Sequence, residues 1–162
     1  MIRLVIGLGN PGKTYAHTYH NAGHQFAEYA RETWDGGPAI LISDVFMNAS
    51  GSAVLAALKK YRVKPEELLV AHDDSDLALG SVKVSFGRGA AGHHGIESII
   101  AALHTNRFWR ARIGIRPREE KIRMKASELV LKKVSRVAKS LLEKGFADAL
   151  LKIQGISGEK KA

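Results

Sequence analysis

Residues 4–12, Leu-Val-Ile-Gly-Leu-Gly-Asn-Pro-Gly, restrict what this chain can fold into more than any other stretch. The apolar run Leu4-Val5-Ile6 reads as a strand. The glycines after it let the backbone turn sharply and let a ligand come close. Asn10 then presents a neutral amide at the carboxyl end of a strand, where open α/β sheets bind their ligands. His20 and Asn21 follow within reach of the same crevice, and His20 is a side chain that can change protonation near neutral pH.

The rest of the pattern alternates strands and helices. Apolar spacing predicts a helix over 22–34, stopped by Asp35-Gly36-Gly37-Pro38, and a buried strand over 39–43. Ser50 is expected to cap a helix whose Val54, Leu55, Leu58 and Tyr61 share a face. Leu68–His72 reads as a strand with Asp73-Asp74 at its end, and Val82–Phe86 as a half-exposed strand. A glycine-rich loop over 87–95 leads to a helix over 96–103 and a strand over 111–115. Val130, Val134, Val137, Leu141 and Leu142 mark a C-terminal amphipathic helix that Gly145 should end, with a shorter piece over 146–153. Such alternation implies an α/β fold: a single domain with a mixed, partly parallel sheet and helices on both faces. The domain is expected to span 1–155, with 156–162 a flexible basic tail.

Chain length fits one domain, and no apolar run approaches the roughly 20 residues that span a bilayer. Cysteine is absent, which excludes disulfides, thiolate catalysis and Cys-ligated zinc. It is also compatible with a reducing cytoplasm. With 25 Lys+Arg against 16 Asp+Glu the formal charge is +9, which favours polyanionic partners.

These residues admit several chemistries. Gly7–Gly12 fits the G-x-G-x-x-G pattern, but the acidic residues at the distance a dinucleotide fold requires lie in a helical pattern, and Pro11 removes an amide. His20 has two candidate carboxylate partners, Asp73 and Asp76. Either would fix the imidazole tautomer and let the other nitrogen act as a base. Asn10, Asn21 and Asn48 are common turn residues, yet all fall at the mouth of the sheet, where amides can orient water or stabilise an oxyanion. No G-x-S-x-G elbow is present, so direct attack by water is favoured over a covalent nucleophile. Two residue sets have metal-ligand chemistry: His20 with His24, and His72, Asp73, His93 and His94. His93-His94 reads better as a polar loop shaping the crevice, and neither metal nor cofactor is expected. Arg110 and Arg112 alternate onto one face of their strand and, with Lys83 and Arg88, suit phosphate.

Taken in order, GLGNPGKTY (7–15), HNAG (20–23), FMNASG (46–51), HDDSDLALG (72–80), AGHHG (91–95) and ARIGIRP (111–117) resemble the bacterial-type peptidyl-tRNA hydrolase family over roughly residues 1–150. The resemblance implies a monomeric, cytoplasmic, cofactor-free esterase that cleaves peptide from the tRNA 3′ end. It implies His20 as general base, Asp73 as its orienting partner, and Asn10 and Asn48 as holders of the substrate end and the oxyanion. Tyr15 and Met47 would line the site, Asn21 and His94 would stand at substrate-binding positions, and Lys83 and Arg112 would grip the tRNA 5′-phosphate. The C-terminal helix would contact the acceptor arm. Departures are Tyr19 where the family commonly has arginine, His94 for an asparagine, Ser85 for a second lysine, and a short 34–39 segment that suggests a reduced sheet edge. The rival reading is a non-catalytic RNA-binding relative of the same fold.

Overall fold

The computed structural model describes residues 1–120 and 122–158. Its centre is a five-stranded sheet in the order β2-β1-β3-β5-β4, made of β1 (Leu4–Gly7), β2 (Ala39–Ile42), β3 (Leu68–Ala78), β4 (Val82–Phe86) and β5 (Trp109–Arg116). β2, β1, β3 and β5 run parallel, and β4 is antiparallel to β5. The helices are α1 (Ala22–Thr33), α2 (Ser50–Tyr61), α3 (His94–Leu103), α4 (Ala126–Leu129) and α5 (Arg136–Ile156).

Period-2 alternation sends successive side chains of each strand into opposite cores. Val5, Leu69, Ile113 and Ile115 meet Phe26 of α1 and Leu142 and Phe146 of α5. Leu4, Ile6, Leu68 and Val70 meet Val54 and Leu58 of α2 and Ile96 and Ile99 of α3. The Phe26 and Phe146 rings meet edge to face at 5.4 Å, which ties α1 to α5. The result is a three-layer α/β domain, as the alternation implies.

Local differences from the sequence reading have physical causes. β2 is half-buried rather than buried, because it is the sheet edge and pairs only with β1. Ser50 does not cap α2: it is the first helical residue, fully buried, with its hydroxyl on the Met47 sulfur at 3.8 Å. β3 does not end at His72. It carries Asp73 and Asp74 within the ladder, opposite Ile113 and Gly114 of the longer β5, and changes register before Ala78.

Gly145 does not break α5, which runs unbroken from Arg136 to Ile156. A β-carbon at 145 would lie 2.3 Å from the Gly80 carbonyl oxygen, so glycine here serves close packing of the helix on the turn before β4. Val130 and Val134 precede this helix instead of belonging to it. The helix also enters the expected tail: Ile156 is helical and Ser157 is buried, while residues 159–162 lie outside the described residues.

Two contacts place the site. The chain leaves β1 for β2 on one side and returns to β3 on the other, so a crevice opens between the carboxyl ends of β1 and β3. The start of α1 is pressed onto that crevice at Gly23, where a β-carbon would stand 2.3 Å from the Ala71 carbonyl oxygen and 2.5 Å from that of Leu8. The segment between α4 and α5 then straps the loop ahead of α1. The Tyr19 and His20 amides donate to the Lys132 and Val130 carbonyls at 3.0 and 2.8 Å, and the Val134 amide donates to His17 at 2.8 Å.

Candidate active site

Asp73 sits at the carboxyl end of the parallel run of β3, 2% exposed, and each of its oxygens takes one imidazole. His20 Nδ1–H donates to Oδ2 at 2.9 Å and His93 Nε2–H donates to Oδ1 at 2.9 Å. A buried carboxylate is tolerated only with such pairing. Burial alone would raise the Asp73 carboxyl. The pull of His93 and the hydrogen bonds from His20 and His93 override it and hold the group well below the usual carboxylate range.

His20 is thereby fixed with Nδ1 committed and Nε2 left to the cavity it lines. Burial disfavours its charged form, but the hydrogen bond to Asp73 and the Asp73 charge together raise its pKa above the ordinary imidazole value. His93 is held from both sides, because its Nδ1 accepts the Ile96 amide at 3.2 Å and so caps α3. His72 is buried behind it, with Nδ1–H on the Asp73 carbonyl at 2.8 Å. Burial first, then the neighbouring His93, push its pKa well below normal, so it stays neutral. Asp76, the other candidate partner of His20, is exposed and paired with Arg123 at 2.9 Å.

Asn10 is 9% exposed and reaches the same cavity. Its Oδ1 accepts the Met47 amide at 2.8 Å, which commits the oxygen and leaves the NH₂ group as the donor Asn10 can offer to the cavity it lines with His20. Asn21 does not line the cavity. It is 1% exposed and clamps Asn10 from behind, with Oδ1 accepting the Asn10 amide at 2.8 Å and Nδ2 donating to the Asn10 carbonyl at 2.9 Å. Met47 is also a core residue; its backbone, rather than its side chain, serves the site. Asn48 is exposed, outside the cavity lining, and its carbonyl takes the Ser98 hydroxyl at 2.9 Å.

The cavity is about 780 Å³ and its far wall is cationic. Arg112 donates from Nε and Nη2 to one Asp74 oxygen, each at 3.0 Å. Lys83 stands directly opposite Arg112 in the β4–β5 register and is exposed outside the lining. Arg110, opposite Ser85, lines the cavity with Nη2 on the Gly89 carbonyl at 2.8 Å. Burial and then the adjacent Arg112 and Arg88 charges push its pKa down to about 10, so it remains a cation at neutral pH. Tyr15 and the exposed His94 complete the rim, and Tyr15 packs edge-on to Phe46 at 6.3 Å.

His20 and His24 do not share a helical face, because α1 begins only at Ala22. His72 and His94 likewise make no joint ligand set, the first buried and bonded to backbone, the second exposed. His20, Asp73 and His93 do bring ligand-type atoms within 4.8 Å of one another, but those atoms are spent on the two 2.9 Å hydrogen bonds. The sequence reading gives Arg110 as a phosphate residue and His93 only as shaping the crevice; what it misses is His93 as the second donor to Asp73. A buried Asp73 with two oxygens needs two donors, and the second donor is identifiable only once the loop before α3 is seen folded over β3.

A three-layer α/β domain with a carboxylate-held imidazole, an amide beside it and a cationic wall is an arrangement that can activate water for attack on an ester. Comparisons make the class specific. A family model described as Peptidyl-tRNA hydrolase matches residues 4–39 and 26–160. A peptidyl-tRNA hydrolase of Sulfurihydrogenibium sp. (strain YO3AOP1) is 38% identical over 167 aligned positions, covering 92% of this chain and 87% of the relative. One from Aromatoleum aromaticum is 40% identical over 131 positions, covering 70% of this chain and 67% of the relative. The crystal structure of peptidyl-tRNA hydrolase from Acinetobacter baumannii superposes with a TM-score of 0.79 at 34% identity, covering 94% of this chain and 87% of that one. The chain belongs to the peptidyl-tRNA hydrolase family.

Proposed function

We propose that this protein hydrolyses the ester joining a peptide to the 3′ end of tRNA, with water activated by His20. The observation that carries the mechanism is the grip of Asp73 on His20 Nδ1, which leaves Nε2 facing a cavity shared with Asn10. Water gives a proton to His20 Nε2 while its oxygen adds to the ester carbonyl carbon. The carbonyl oxygen becomes an oxyanion, and the Asn10 NH₂ donates to it. Collapse of the tetrahedral species breaks the bond to the ribose oxygen, which takes the proton back from His20. The products are the peptide carboxylic acid, which gives its proton to solvent, and free tRNA. Asp73 stays ionised throughout and stabilises the imidazolium that forms.

The remaining residues follow the path of the substrate. Tyr15 offers a ring near the terminal nucleotide, and bases stack on such rings at about 1–3 kcal/mol each. His94 and Asn48 lie further out and are assigned to the parts of the substrate beyond the reacting ester. Asn21 and Met47 act by holding Asn10. Lys83, Arg112 and Arg110 form the phosphate side, where guanidinium forks suit the tRNA 5′-phosphate and the charge of +9 supports backbone contact. The substrate class assigns the work to the cytoplasm. Among the described residues no helix is long and apolar enough to cross a membrane.

The test is release of an N-acetylated amino acid from N-acetyl-aminoacyl-tRNA by the purified protein with a chelator present. Steady turnover, reduced when the substrate lacks its 5′-phosphate, is the expected result. Salt-sensitive tRNA binding without turnover would replace this reading with an RNA-binding one.

A further inference from the structure

His24 is a half-buried imidazole that the mechanism above does not use, and it lies directly behind the residues that aim Asn10. The carboxamide of Asn21 makes three contacts. Its oxygen accepts the Asn10 amide at 2.8 Å, and one Nδ2–H donates to the Asn10 carbonyl at 2.9 Å. The second Nδ2–H has one acceptor in reach, His24 Nδ1 at 3.4 Å. That arrangement requires a neutral imidazole with its proton on Nε2, since a protonated ring presents donors at both nitrogens.

We propose that His24 is a positioning residue for hydrolysis, holding the Asn21 amide in the one orientation that clamps both backbone groups of Asn10. The inference rests on the functional reading above, because it acts through Asn10. A charged His24 would set an N–H against the Asn21 NH₂. Turning the Asn21 amide to relieve that clash would place NH₂ against the Asn10 amide and oxygen against the Asn10 carbonyl. Both 2.8–2.9 Å bonds are then lost, and the Asn10 NH₂ loses its aim toward the oxyanion.

The surroundings keep the ring neutral. Burial lowers the His24 pKa, and the Ser43 backbone and the Glu28 charge offset this only in part. Glu28, one turn along α1, is the charged group that bears on the ring. The loop after β1 faces it with Gly9, and the segment after β2 with the Ser43 backbone; neither is ionisable. The acid side of the activity profile therefore holds two protonations. His20, with its raised pKa, is lost first as pH falls; His24, with its lowered pKa, is lost second.

Three variants and a pH series test this on the full chain with N-acetyl-aminoacyl-tRNA. His24→Leu should lower kcat about threefold to tenfold, the range of one hydrogen bond, and leave KM unchanged. His24→Gln supplies an oxygen acceptor that does not titrate and should recover most of that loss. In an Asn10→Ala background, His24→Leu should cost nothing further. On the acid limb, the slope of log kcat/KM against pH should steepen from one toward two in the natural protein and stay at one in His24→Gln. Full additivity of His24→Leu with Asn10→Ala, or identical acid slopes for the natural protein and His24→Gln, would overturn the inference. Should His24→Leu fail to fold, the His24→Gln slope decides alone. His20→Ala run alongside separates the two levels: activity surviving that change removes the parent reading, whereas an inactive His20→Ala with identical acid slopes removes only the role of His24.

Discussion

Asp73 is asked to hold two imidazoles with one carboxylate, and the division of labour between them is set by what lies behind each ring. His93 has its second nitrogen bound to the start of α3, so it can only orient. His20 has its second nitrogen in the cavity, so it can react. The raised pKa of His20 has a defined sign for activity: the reactive form is neutral, so kcat/KM should fall as pH drops through a value above that of a free imidazole. Asp73→Asn removes the charge that raises it and replaces one of the two acceptor oxygens with an NH₂ donor, leaving burial to pull it down. The acid inflection should then move to lower pH while kcat falls about 10²–10⁴-fold, measured as a pH–rate profile. An unmoved inflection would contradict the pairing. At this scale the sequence was informative where chemistry is carried by single motifs: Asn10, His20, Asp73 and Arg112 stand where their motifs put them. It gave His93 only as a residue shaping the crevice, because the residue that completes a buried carboxylate is chosen by loop geometry across the sheet; Asn48 lies exposed outside the cavity lining, so its expected place at the oxyanion is carried by the sequence motif alone.

At the scale of elements, periodicity located every strand of the sheet and the helices α1, α2 and α3. The failures came where one residue type serves two purposes. Gly145 reads as a helix stop, yet it is a contact residue, with the Gly80 carbonyl occupying the place a side chain would take. Ser50 reads as a cap, yet its hydroxyl is buried against Met47. Gly145→Ala separates the two readings of glycine. Intrinsic helix propensity alone would stabilise α5 by about 1 kcal/mol. The 2.3 Å approach should instead force α5 away from the turn before β4, for a net loss of about 1–2 kcal/mol. A lower urea midpoint at unchanged slope is the expected result; a higher midpoint would return Gly145 to the role of a helix stop.

The whole molecule assembles one site from residues spread along the chain. The crevice follows from strand order: β2 and β3 flank β1, so Asn10 and Asp73 come to the same opening. The α/β class was legible from alternation, but strand order and the strap over the His20 loop were not. Nothing in the pattern of residues 130–134 announces that their backbone will bond to 17–20. In the proposed mechanism the cationic wall of β4 and β5 and the His20 imidazole held by Asp73 are separate devices on one surface, the first to hold an anionic substrate and the second to cleave it. Their separation is the central claim, and His20→Ala tests it most directly: hydrolysis of N-acetyl-aminoacyl-tRNA and affinity for the same tRNA, measured side by side at one salt concentration. The account predicts that turnover falls at least about hundredfold, the loss expected for a general base, while tRNA affinity stays within about twofold. Substantial remaining turnover, or binding lost together with it, would contradict the account.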